Sequence, residues 1–238
     1  ISDNVSIYAG NHHITVGTHN DFYIFNNLFL QNSFGGYEFK TLEDYYANKI
    51  NKFQFAYADP TVEGVTDSRW SAKTYAARFG FYAQDEWTPN RNFMLTYGIR
   101  ADIPVMFNTP TANETYNGTD LAKSKDEYIG TVPGATVLVS PRVGFRWFID
   151  DDHRTLLRGG AGIFTGRVPF VWLANAYNNT GVETKSIYLS GAKIPENFPL
   201  TSNPYADVVD KDLVSGVAGT DVNTLSRKFK YPQTFRAN

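Results

Sequence analysis

The residues of this sequence that are able to do chemistry are mainly arginines set at alternate positions. Arg78, Arg100, Arg142, Arg146 and Arg158, together with Asp102, fall between apolar neighbours in stretches such as Leu95-Thr96-Tyr97-Gly98-Ile99-Arg100-Ala101-Asp102-Ile103. A guanidinium is permanently charged, and its planar fork of donors matches carboxylates and phosphates. Arginines in this pattern suit ion pairing and anion recognition better than proton transfer.

The other candidate groups carry less. In an extended chain His13 and His19 share a face but stand about 20 Å apart, too far to share an ion, whereas His19 and Asp21 are neighbours at roughly 7 Å. No metal site is assigned to them or to His12. Asp150-Asp151-Asp152 has the carboxylates of a calcium loop but reads as a short solvated turn. The run Gly159-Gly160-x-Gly162-x-x-x-Gly166 is followed by Val168-Pro169, without the helix start that a phosphate-cradling loop requires. Its glycines are expected to let a curved wall bend or another backbone come close. There is no Gly-x-Ser-x-Gly elbow, and the 4 histidines have no partnered nucleophile, so neither an enzyme nor a cofactor is expected. The acid pairs Glu43-Asp44 and Asp85-Glu86 are expected at a loop and a membrane rim. The sequons at Asn113 and Asn117 are expected to be ordinary turn residues. A net charge of -2, a pI near 6.1 and scattered Lys and Arg leave no basic face for nucleic acid. The absence of cysteine removes disulfides and thiolate sites together.

The elements that must position the arginines are strands. Phe93, Leu95, Tyr97, Ile99, Ala101 and Ile103 alternate with Met94, Thr96, Gly98, Arg100, Asp102 and Pro104, a period of two with one apolar and one charged face. The same period recurs where Val139, Pro141, Val143, Phe145, Trp147 and Ile149 oppose Ser140, Arg142, Gly144, Arg146, Phe148 and Asp150. It recurs again around Arg158, around Arg78, and where Ile14 and Val16 oppose Thr15, Gly17, His19 and Asp21. An aromatic content of 16% with a mean hydropathy of -0.35 suits many half-buried strands. Ten steps from Phe93 to Ile103 rise roughly 23 Å at a tilt near 45°, close to the apolar band of about 25 Å in an outer-membrane barrel. Charges opposite such stripes are costly in hydrocarbon, so Arg78, Arg100, Asp102, Arg142, Arg146 and Arg158 are expected to face a lumen, pairing among themselves and, on the family resemblance given below, with a plug.

The connections alternate in length. Tight turns are expected at Gly10-Asn11, Thr88-Pro89-Asn90-Arg91 and Asp150-Asp151-Asp152-His153, and long connections over 31–68, 108–136 and 167–226, with helical pieces at 42–47 and 170–175. Short periplasmic turns and long extracellular loops are the rule in outer-membrane barrels. About seven strands are expected, near 4–9, 12–30, 69–87, 92–107, 137–149, 155–165 and 228–237, too few to close a bacterial barrel, so further strands are expected outside this sequence. The opening Ile1-Ser2-Asp3-Asn4-Val5 has no basic and then apolar leader, as expected if a leader was removed or the chain begins within a larger protein. Loop aromatics Tyr45, Tyr46, Trp70, Trp172, Tyr177 and Tyr205 are candidates for contact with a small-molecule, peptide or glycan ligand, or else pack the loops together. A passive porin or adhesin barrel and a secreted soluble β-sandwich binding module remain as alternatives.

Gly80-Phe81-Tyr82-Ala83-Gln84-Asp85-Glu86-Trp87, followed by Leu95-Thr96-Tyr97-Gly98-Ile99-Arg100, resembles the barrel of TonB-dependent receptors. Ser140-Pro141-Arg142-Val143-Gly144-Phe145, the stretch from Leu157 to Trp172, and His13-Ile14-Thr15-Val16-Gly17 through Asn27-Leu28-Phe29 are similar to the Oar-like receptors of Bacteroidetes, which often carry a carboxypeptidase-regulatory-like N-terminal domain. The resemblance covers most of the chain outside the long loops. It implies an all-β fold, part of a large antiparallel transmembrane barrel of about 22 strands around a plug. It also implies nutrient import with energy from TonB and contact with outer-membrane lipids, and leaves open whether a surface lipoprotein lids the barrel. On this reading residues 1–238 are a partial barrel domain, whose plug, TonB box and closing strands have no counterpart here.

Overall fold

The computed structural model describes residues 1–26, 28, 30–167, 169–214, 218–219 and 222–238. Its strands are β1 (Ser2–Ala9), β2 (His12–Asn26), β3 (Gly36–Glu38), β4 (Lys52–Ala58), β5 (Lys73–Asn90), β6 (Phe93–Met106), β7 (Leu138–Phe148), β8 (Leu156–Thr165), β9 (Thr184–Ser190), β10 (Ala218–Gly219) and β11 (Gln233–Ala237). The α-helices are α1 (Leu42–Tyr46), α2 (Glu114–Asn117), α3 (Asp120–Lys125) and α4 (Phe170–Asn178). The strands form an open antiparallel sheet of seven in the order β1-β2-β5-β6-β7-β8-β11, and a second sheet of four in the order β10-β9-β4-β3.

Neighbours in the seven-stranded wall follow one another along the chain once the long loops are set aside, so each pair is a simple up-and-down step. The expected strands are found within a few residues. The expected run of the second strand to residue 30 crosses Asn27 and Phe29, which lie outside the described residues, as does Val168. The last strand begins at Gln233, five residues after the expected start at Lys228, because Pro232 has no N–H to give a ladder.

Register determines the faces. Asp21 pairs with Arg78, Tyr82 with Arg100, Arg100 with Ser140, and Arg146 with Arg158. Directly paired residues project to the same side of a sheet. All six predicted charged residues therefore share one face. The opposite face carries Val5, Val16, Phe22, Phe81, Ile99, Val143, Trp147, Leu157 and Phe235, all exposed. From Trp87 to Ala77, ten steps along this face, the height is roughly 24 Å at the usual barrel tilt. Trp87 and Trp147 near the short turns and Tyr75 near the long loops bound it, as interfacial aromatics bound a hydrocarbon band.

The long loops hold more order than the sequence pattern predicts. Strand β4, from the first long loop, pairs with β9, from the third, over the whole of Lys52–Ala58. Phe53, Phe55, Ile187, Leu189, Phe198 and Val208 close a separate apolar core there. This sheet has its own interior and leaves the apolar face of the wall uncovered. A soluble sandwich would bury that face against a second sheet, and among the described residues no second sheet covers it.

Candidate functional site

On the charged face of β2, β5 and β6 the side chains form a continuous ladder. Asp21 accepts from Arg78 Nη2 at 2.5 Å and lies 3.1 Å from His19 Nε2. Tyr23 donates its hydroxyl to the same carboxylate at 3.2 Å. Asp102 receives Arg100 Nε and Nη2, both at 2.8 Å, and Arg78 Nε stands 3.9 Å away. The Asp102 side chain is only 3% exposed. The two-pronged contact is the strong form of a charge-assisted hydrogen bond. Arg100 also lies 5.8 Å from the centre of the Tyr82 ring. Gly80 is required in this packing, because a side chain there would collide with the Arg100 guanidinium. The His19–Asp21 neighbourhood found in the sequence is thus part of an ion-pair chain, and the partner of Asp21 is Arg78.

Across β7, β8 and β11 the same face differs. Arg146 and Arg158 stand directly opposite each other. Arg142 and Arg236 flank Gly162 from either side. Among the described residues none of these four arginines has a carboxylate within ion-pair distance. Arg146 rests instead over the Phe148 ring at 4.7 Å. Between the arginines the face is bare, since Gly144 pairs with Gly160 and Gly98 with Arg142. A cavity of about 1300 Å³ lies over this floor. Arg236 was not singled out from the sequence, although it follows the same alternation as Phe235 and Ala237 once β11 is recognised.

Above the ladder, at the long-loop end, α4 folds onto the charged face. Phe170, Leu173, Ala174 and Tyr177 are buried at the i, i+3, i+4, i+7 spacing of one helix stripe. Phe170 packs 4.7 Å from Tyr23 and 5.3 Å from Phe25, measured between ring centres, and Leu173 joins Ala76, Leu138 and Tyr231 in one cluster. Asn178 accepts from the Ala72 amide at 2.8 Å and ties the helix end to the chain entering β5. Burial of each large side chain here is worth about 2 kcal/mol.

The six predicted loop aromatics separate by exposure. Trp172 is 71% exposed, on the side of α4 away from the wall, and Tyr45 and Tyr46 are 50% and 78% exposed. Trp70 is partly exposed. Tyr177 is 2% exposed and donates its hydroxyl to the Asn108 carbonyl; burial pushes that hydroxyl up to about 12. Tyr205 stacks edge-on against Tyr57 at 5.4 Å. The last two therefore hold loops together and offer a ligand little surface.

On the apolar face the acid Asp85 is held through one of its two carboxylate oxygens, and the other acids of this region lie in turns. Asp85 receives His12 Nδ1 at 2.6 Å and the Tyr97 hydroxyl at 2.7 Å, one step inside the Trp87 level, the rim position expected of the Asp85-Glu86 pair. Asp150 accepts from the Arg154 and Thr155 amides at 2.7 and 2.8 Å, and Asp151 from Asn92 at 2.7 Å, so these acids organise turns. Among the described residues no group of three or more His, Asp or Glu side chains is placed to hold a metal ion.

A family model described as an outer membrane beta barrel domain matches residues 1–238. No curated protein and no solved structure matches the chain.

Proposed function

Since the chain belongs to the outer membrane beta barrel domain family, we propose that it forms wall and surface loops of a TonB-dependent receptor that imports a nutrient. The family places the protein in the bacterial outer membrane. The apolar face then meets lipid and the charged face lines the lumen, where arginine and aspartate are tolerated. The observation that carries the import reading is the treatment of the lumenal face. Its extracellular end is covered by α4 and the third long loop, and its periplasmic end carries unpaired arginines over a glycine floor. A covered mouth above a charged wall suits a barrel that selects what it admits. The sequence resemblance to TonB-dependent receptors supports the same reading, with a plug in the lumen and TonB as the energy source. Trp172, Tyr45 and Tyr46 are the aromatics in position to meet an arriving peptide, glycan or other ligand, and a surface lipoprotein would sit over the same loops.

The test is conductance of the full-length protein in a planar lipid bilayer, with binding of the periplasmic domain of TonB measured in parallel. A plugged importer stays closed and binds TonB. Steady ohmic conductance without TonB binding would overturn the reading in favour of a passive porin.

A further inference from the structure

The apolar face carries one group of ionisable side chains that hydrocarbon alone does not accommodate. Asp85 on β5 pairs with Ile14 and Tyr97, and His12 on β2 pairs with Trp87, so Asp85, Tyr97, His12 and Trp87 all project from this face. The Asp85 side chain is 10% exposed and that of His12 40% exposed. Asp85 Oδ2 accepts both from His12 Nδ1 and from the Tyr97 hydroxyl, while Oδ1 is buried and has no partner. Among the described residues no other basic group lies within ion-pair distance of Asp85. Glu86, the next acid along β5, points to the lumen, where His13 stands 3.7 Å from it. Each of β2, β5 and β6 has a neighbour on both sides in the described sheet, so no strand beyond the ends of this sequence borders the group.

A net charge facing lipid is costly, so the Asp85–His12 pair is stable there as a unit of zero net charge. Whichever side of the Nδ1–Oδ2 bond then holds the shared proton, the other ring nitrogen, Nε2, carries a hydrogen. With Nδ1 turned toward Asp85, Nε2 is turned away from it, to the rim, because His12 lies at the Trp87 level, about 5 Å nearer the short turns than Asp85. The His12 and Trp87 rings stack there, with centres 6.0 Å and planes 12° apart. Neither His12 Nε2 nor the Trp87 indole N–H has a hydrogen-bond partner among the described residues. We propose that His12 and Trp87 form a phospholipid headgroup site at the periplasmic rim, both N–H groups donating to one phosphate, with Asp85 and Tyr97 as positioning residues that keep His12 a donor. Membrane lipid is what meets this face, and the phosphate is the anion it brings to this level. Bonds from N–H to a phosphate oxygen are of the strong, charge-assisted kind, whereas an uncharged lipid leaves the donors poorly matched. A headgroup ammonium gains little, since the free Asp85 oxygen is shut behind its neighbours. The inference rests on the outer-membrane family and not on the import reading.

Native mass spectrometry of the full-length protein, released from mild detergent after titration with phosphatidylethanolamine, phosphatidylglycerol or diacylglycerol of the same chains, counts the lipids that stay bound. One copy of either phospholipid is expected to be held about tenfold more tightly than diacylglycerol, the worth of one charge-assisted hydrogen bond. His12→Phe, which keeps a ring over Trp87, should erase that preference. Since it also leaves Asp85 without its partner, His12→Phe with Asp85→Leu is the second variant; it leaves none of these charges facing lipid and should erase the preference as well. Trp87→Phe should weaken it about threefold, and Arg158→Gln, on the lumenal face, should leave it unchanged. Equal retention of diacylglycerol by the unaltered protein would mean that the chains and not the phosphate are held. A preference that survives in the double variant would put the phosphate elsewhere. Either result overturns the proposal, as does displacement of the bound phospholipid by an equal concentration of inorganic phosphate, which would make this a site for the free ion. Closed conductance and TonB binding in a protein that holds no such lipid would leave the import reading standing while this proposal falls.

Discussion

Two regions of one face, built from the same alternation, handle charge in opposite ways. On β2, β5 and β6 every arginine has a carboxylate: Arg78 has Asp21, and Arg100 has Asp102. On β7, β8 and β11 there are four arginines with none among the described residues. The first region neutralises itself and is close-packed, with Asp102 buried and Gly80 absent of side chain so that Arg100 can fit. The second is open at Gly144, where an added side-chain carbon would meet nothing closer than 3.6 Å. Strand period decides which face a residue takes, but the partner across the ladder decides whether its charge is structural or available. The sharpest way to break this contrast is Asp102→Asn. It leaves Arg100 and Arg78 partly buried without their shared counter-charge, which should cost about 3 kcal/mol, the low end for a broken buried pair because the face is water-lined. The heat-modification midpoint on electrophoresis should fall clearly. A midpoint unchanged would mean that the ladder is as dispensable as the arginines of β7, β8 and β11.

A pair of glycine substitutions sharpens the same contrast at smaller magnitude. Gly80→Ala pushes a methyl group into the Arg100 guanidinium and against the His19 carbonyl at 2.9 Å, and overpacking of that kind costs about 1 to 3 kcal/mol. Gly144→Ala enters open space and removes backbone freedom from the unfolded chain, so it should be neutral or stabilising by about 0.5 kcal/mol. Urea denaturation of the full-length protein in detergent measures both, and equal losses would show that the two regions are packed alike.

Much of this was legible in the sequence because a period of two leaves no ambiguity about face. Arg78, Arg100, Asp102, Arg142, Arg146 and Arg158 could be placed together without knowing any contact. Which of them pair was not legible, since that depends on a register between strands separated by loops of dozens of residues; Asp21 meets Arg78 across 57 positions. The second sheet was missed for a related reason. Phe53-Gln54-Phe55-Ala56-Tyr57 and Ser186-Ile187-Tyr188-Leu189 alternate over only a few residues each, too short to stand out among Gly, Asn and Pro. Only their pairing across more than a hundred positions makes them strands. Tyr177 and Trp172 illustrate the same limit on α4. Helix spacing assigns them to different sides, but only the wall beneath shows which side is buried.

A fourth substitution isolates the arginines of β7, β8 and β11. Arg146→Gln removes the like-charge opposition to Arg158, together with the contact over Phe148 at 4.7 Å. The two effects are each worth about 0.5 kcal/mol and oppose one another. In protein stripped of any lumenal occupant, unfolding should therefore move by less than about 0.5 kcal/mol. A loss as large as that from Asp102→Asn would show that Arg146 has a carboxylate partner within the wall and would erase the distinction between the regions.

The smallest expected effect concerns the turn that sets the register of β7 and β8. Asp150 caps the link between β7 and β8, and the backbone N–H of Arg154, then Thr155, hold its carboxyl below the usual carboxylate value. A depressed folded-state pKa means that the stabilisation is fully present above the ordinary aspartate value of about 3.9 and is lost as pH falls below it. Amide protection at residues 154 and 155 should hold steady from neutral pH down to about 5 and decline only below about 4. In the Asp150→Asn variant that decline should disappear, because the replacement does not titrate. If protection of the Arg146–Arg158 pair of strands falls along with the turn, the placing of these arginines depends on this one cap. If it does not, the ladder of backbone hydrogen bonds between β7 and β8 holds the arginines opposite one another unaided.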